Sequence, residues 1–124
     1  MLACLADAHA AQYGKPTEET AMITISVLYP KTADLKFDMG YYHATHMKMV
    51  HDLWGTMGLH GARVLKGTPG PDGSAPAYAV ITLLEFESMA AFGKAAAAHG
   101  GAIMGDVPNF TNVTPILQFN EIAA

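Results

Sequence analysis

Four short runs with strand patterning and two stretches with helical periodicity, met in the order βαββαβ, predict an α+β fold of the ferredoxin-like sandwich type. A second observation extends this. The third strand is apolar on both faces, so its sheet needs a cover besides the two helices. The length agrees, because 124 residues make one domain with a core that needs no staples.

Residues 1–20 read as an N-terminal extension to a domain over residues 21–124. The start is alanine-rich but has no basic cluster, and Asp7 and His9 interrupt its apolar run, so it makes a poor signal peptide. Gly14, Pro16 and their polar neighbours read as a linker. Residues 22–29 alternate and are rich in β-branched side chains, forming a first strand that Pro30 ends. Ile23, Ile25, Val27 and Tyr29 make its apolar face, with Met22, Thr24, Ser26 and Leu28 on the other. After a loop, Asp38 offers a carboxylate to the unpaired N–H groups of a helix over residues 38–54, which Gly55 or Gly58 terminates. The stripe of that helix is Met39, Tyr42, His46, Met49, Val50 and Leu53.

Residues 59–67 form a weaker second strand, and residues 68–76, dense in Pro and Gly, an exposed hairpin loop. No lysine stands at P-loop spacing in this loop, which argues against phosphate binding. The third strand spans residues 77–86, with Tyr78, Val80, Leu84 and Phe86 pointing one way and Ala79, Ile81 and Leu83 the other. Ser88 caps a second helix over residues 89–99; Gly100 and Gly101 stop it, with one further helical turn at 102–106. A loop then leads to a fourth strand over residues 113–121, where Pro115 points to an edge or a bulge. The simplest cover for the far face of the sheet is a second copy, giving a homodimer packed sheet against sheet.

Composition excludes several classes of partner. The seven Lys and Arg residues are scattered singly in a chain of net charge −4, which argues against nucleic acid. No apolar segment reaches the ~18–20 residues a membrane span needs. A lone cysteine, Cys4, allows no internal disulfide and fits the reducing cytoplasm. Eight methionines suit either core gaps or the wall of a pocket for apolar ligands.

Histidine is the side chain whose charge changes near neutral pH, and His46 is the only one in the stripe of the first helix. It is either a core histidine satisfied by a carbonyl or by Tyr42, or a general acid or base lining a cleft between helix and sheet. Tyr42, one turn earlier, would then orient a substrate oxygen, and less readily Tyr41. His43 and His46 lie three apart and could hold a metal with Asp106 or His99, but neither an H-E-x-x-H pattern nor a convincing third ligand supports one. Asp106 and Asn109 either cap their loop or cross the cleft mouth. Met49, Met104, Phe110 and Trp54 are candidate apolar walls and equally ordinary core residues.

The pieces Val27-Leu28-Tyr29-Pro30, Phe37-Asp38, Tyr41-Tyr42-His43-Ala44-Thr45-His46-Met47, Met57-Gly58-Leu59, Lys66-Gly67 and Pro76-Ala77-Tyr78 stand in a recognisable order. With Phe86-Glu87-Ser88, Asp106-Val107-Pro108-Asn109-Phe110-Thr111 and Glu121, they resemble the EthD family of the dimeric α+β barrel superfamily over residues 22–122. Lys48 departs from the pattern, since the family usually has a proline shortly after the helix histidine. The resemblance implies a barrel dimer. It also implies a link to bacterial ether degradation beside a cytochrome P450 system, where members are often labelled reductases. No flavin or nicotinamide motif appears in the chain, so no cofactor is expected.

Relatives in the wider superfamily include cofactor-free monooxygenases, isomerases, cyclases and haem-degrading enzymes, which commonly use the helix–sheet cleft. On this pattern the chain is a small enzyme or accessory protein acting on an apolar, oxygen-bearing molecule. His46 and Tyr42 would be catalytic, and His43, Met49, Met104, Asp106, Asn109 and Phe110 would bind substrate. One alternative is a non-catalytic binding protein serving a partner oxygenase. Another is a haem protein with His46 or His99 as axial ligand.

Overall fold

A computed structural model describes residues 21–123; the extension expected over residues 1–20 lies outside the described residues. Strand β1 (Ile23–Pro30) is central, because β3 (Tyr78–Phe86) and β4 (Ile116–Glu121) pair with it antiparallel on either side. Strand β2 (Leu59–Lys66) pairs with the outer edge of β3, giving the order β2-β3-β1-β4. Helix α1 (residues 39–54) joins β1 to β2, and α2 (residues 89–105) joins β3 to β4. The indole N–H of Trp54 in α1 donates to the carbonyl of Ala95 in α2 at 2.9 Å, tying the helices together. Alternation does the rest, since Ile23, Ile25, Tyr29, Val80, Leu84 and Phe86 are all buried under the helices. The fold is the ferredoxin-like α+β sandwich that the patterning predicts.

Asp38 caps α1 as expected, its carboxylate accepting from the N–H of Tyr41 at 3.0 Å. The expected stripe, however, is corrected by a π-turn over Tyr42–His46, in which the N–H of Met47 reaches back to the carbonyl of Tyr42. A π-turn inserts one residue into the helix, rotating everything after it by about 100°. Met47, Val50 and Trp54 therefore fall in line with Tyr42 and His46 and are buried, while Met49 and Leu53 turn to half-buried flanks.

The second helix does not stop at Gly100 and Gly101. Both adopt right-handed helical angles, and the helix runs on through a π-turn (Ala96–Gly100) to Gly105. Each glycine costs about 1 kcal/mol in a helix interior. Burial of Ile103 and Val107 just beyond them offsets that cost, because a fully buried aliphatic side chain contributes about 1.5–3 kcal/mol. The fourth strand starts at Ile116, later than expected, since Pro115 has no N–H to give the ladder.

Gly58 rather than Gly55 makes the turn from α1 into β2. It has φ +105°, whereas Gly55 is still helical. A Cβ on Gly58 would also sit 3.0 Å from that of Ala91. Gly58→Ala is expected to destabilise the fold by at least about 1–2 kcal/mol, read from urea melts, because an L side chain is strained at positive φ. Among the described residues no helix is long and apolar enough to cross a membrane.

Candidate active site

The site is assembled from two distant segments. The π-turn of α1 turns Tyr42 and His46 inward, and the connection after α2 carries Asp106, followed by a 3₁₀ turn (Val107–Asn109). That connection is fastened to the start of α1. The N–H of Asp38 donates to the carbonyl of Phe110 at 2.7 Å, and Phe37 bridges to Thr111. Fastening brings the carboxylate of Asp106 to His46, with Oδ2 2.9 Å from Nδ1. Its other oxygen, Oδ1, accepts from the hydroxyl of Tyr41 at 2.6 Å and from the amide of Asn109 at 2.9 Å.

These contacts decide the charge and the tautomer. Burial pushes the Asp106 carboxyl up, but hydrogen bonds from Tyr41, Asn109 and His46 together outweigh it and hold the group below its ordinary value. An ionised carboxylate only accepts, so Nδ1 of His46 must carry the hydrogen. In the neutral ring Nε2 is therefore a lone pair, the arrangement required of a general base. The ring is fixed on both sides, stacked on Tyr42 (5.3 Å, 16°) and tilted against Phe110 (4.6 Å).

His46 lines a narrow cleft between the helices and the sheet with a cavity volume of about 40 Å³. Tyr29, Tyr42 and Thr82 also reach it, and the remaining walls, among them Val50, Leu84 and Ile103, are apolar. Burial raises the hydroxyl pKa values of both Tyr29 and Tyr42. A raised value in the fold means that stability is intact below about pH 10 and declines above it, as the unfolded tyrosines lose protons first. In an absorbance titration Tyr29 and Tyr42 should ionise only as the fold opens, together with the loss of circular dichroism.

The structure brings together His46, Tyr42, Asp106, Asn109 and Phe110 of the sequence candidates. Met104 lines the cleft at its exposed edge. His43 instead faces solvent on the outer side of α1, and Met49 packs at the margin of the core without lining the cleft. Among the described residues no cluster of three His, Cys, Asp or Glu side chains is placed to hold a metal ion.

Sequence reasoning missed Thr82, whose Oγ1 lies 2.5 Å from the hydroxyl of Tyr42 and is fully buried. Its signal was a hydroxyl at an inward position of an otherwise apolar strand face. Tyr41 was ranked behind Tyr42 although it holds Asp106. Nothing in its spacing from residue 106 marks that contact.

An antiparallel four-stranded sheet and two helices on one face define the class: an α+β sandwich, here with a hydrogen-bonded histidine–carboxylate pair under its helices. Comparison with solved structures narrows this to a family. The chain is 34% identical to an EthD-like protein from Ralstonia eutropha JMP134, over 85% of this chain and 95% of that one, with a TM-score of 0.78. This chain belongs to the EthD family. An EthD family protein from Bacillus halodurans C-125 shares the fold at 16% identity, with a TM-score of 0.57 over 82% of this chain and 99% of that one. No protein-family model and no curated protein matches the chain.

Proposed function

We propose that the chain is a small acid–base enzyme. In this reading His46, held by Asp106, moves a proton to or from an apolar, oxygen-bearing molecule in the cleft, and Tyr42 helps to orient it. The observation that supports it is the one-sided use of the imidazole. Nδ1 is committed to a carboxylate, and the ring belongs to a residue lining an otherwise apolar cleft. The Bacillus halodurans relative belongs to a family named for ethyl tert-butyl ether, which fits a small apolar ligand carrying oxygen. Service to a partner oxygenase belongs to the same proposal.

Nitrogen NMR of the histidines tests the reading without a known substrate. The hydrogen is expected on Nδ1 of His46; finding it on Nε2 would sink the proposal. The apolar walls also suit a carrier that does no chemistry. His46→Gln separates the two, since a carrier should lose only affinity, and an enzyme its turnover.

We also propose a homodimer formed through the outer face of the sheet. Leu65, Ile81, Leu28 and Ile116 stand side by side across all four strands on the face away from the helices. Leu65 is 40% and Ile116 48% exposed in the single subunit, an apolar row that water does not favour. Light scattering should give a dimer mass, and Ile81→Glu a monomer; a monomeric wild type would refute the proposal.

A further inference from the structure

We infer that the cleft takes an uncharged, apolar carbonyl compound and removes the acidic proton from the carbon beside the carbonyl. The inference rests on the acid–base reading of His46. It comes from a count of polar hydrogens. Tyr42 and Thr82 each own one hydroxyl hydrogen, both side chains line the cleft, and the single bond between them uses one of the two. The hydroxyl of Tyr29 stands beside that of Tyr42. Including it adds one hydrogen and at most one bond, so a donor is still left over. Among the described residues no backbone carbonyl accepts it.

The basic lone pair among the residues lining the same cleft is that on Nε2 of His46. A matching ligand must therefore supply one oxygen that accepts and one proton that can leave. It must also be neutral. Among the described residues no lysine or arginine lines the cleft, and the Asp106 carboxylate lies behind the imidazole, so an anion would be buried without a counter-charge. An ether supplies the acceptor but no acidic proton, so it would bind without reacting.

A ketone with α-hydrogens meets both demands. Its α C–H bond breaks and the proton forms an N–H bond at Nε2 of His46. The electron pair left on carbon becomes the C=C bond of an enolate, and the carbonyl oxygen takes the negative charge. The spare hydroxyl hydrogen of the Tyr42–Thr82 pair stabilises that oxygen, while Asp106 stabilises the imidazolium. Return of the proton to the same or a conjugated carbon completes an enolisation or isomerisation. No electrons leave, so no oxidant or co-reactant is needed.

The experiment is α-hydrogen exchange in D₂O followed by proton NMR, with 2-indanone, cyclopentanone and 2-tetralone as probes. Wild type should deuterate at least one of them about 10²-fold faster than His46→Gln. At saturating ketone, Tyr42→Phe/Thr82→Val, which leaves neither hydroxyl of the pair, should lose about 10²-fold in rate, whereas Thr82→Val alone, which leaves the Tyr42 hydrogen free to donate, should keep most of it. Exchange no faster than with His46→Gln for all three ketones overturns the carbonyl assignment. If His46 then still carries its hydrogen on Nδ1, the acid–base reading survives that failure; a hydrogen on Nε2 removes both. Tyr42→Phe/Thr82→Val reacting at the wild-type rate overturns the role of the hydroxyl pair.

Discussion

Asp106→Asn is expected to abolish proton transfer in the cleft, lowering turnover by about 10²–10⁴-fold with the fold preserved. The reason lies in the hydrogen-bond network. Oδ1 of residue 106 receives two donors, the Tyr41 hydroxyl and the Asn109 amide. An asparagine would keep its oxygen there and turn its NH₂ toward His46. Nδ1 must then accept, so the ring hydrogen moves to Nε2 and the base loses its lone pair. Nitrogen NMR should show this exchange of tautomers in the variant, and the ketone exchange rate should fall with it. A variant with the hydrogen still on Nδ1 and full activity would refute the role given to Asp106 as the residue that positions the imidazole.

Phe110→Ala should cause the largest loss of stability, about 3–5 kcal/mol. Phe110 is 3% exposed, and its ring meets Tyr29, Phe37 and Tyr42 edge-on at 5.9, 5.3 and 4.9 Å, with His46 and Tyr41 also against it. Truncation removes a large buried surface and opens a cavity lined by rings that cannot collapse onto one another. It also loosens the segment that holds Asp106, so the site should weaken along with the core. Such a loss is a large part of a total stability of about 5–15 kcal/mol. Phe110→Leu should cost less than half as much by urea melts; equal losses would mean that aromatic packing is not what holds this segment.

The strands and both helix starts could be read along the chain because each depends on neighbours in sequence. Alternation in residues 22–29 sets which side chains go under the helices, and Asp38 and Ser88 cap helices from three residues away. The stripe of α1 was misread after His46, since periodicity assumes a regular helix and the π-turn breaks that assumption. Gly100 and Gly101 were misread as a stop for a similar reason. Their local preference was right in sign, but burial of Ile103 and Val107 beyond them offsets it. His46 and Tyr42 stood out as polar groups on an apolar face, whereas Thr82, inside a strand of β-branched residues, did not.

Pattern and capping, which act over a few residues, were enough for the sequence by itself to determine the βαββαβ order and an imidazole turned toward the sheet. Which nitrogen of that imidazole carries the hydrogen was decided only by the tertiary structure. Asp106 lies 60 residues from His46 and Thr82 lies 40 from Tyr42. Contacts at such separations follow from how the sheet and helices pack, and no local preference of either residue encodes them.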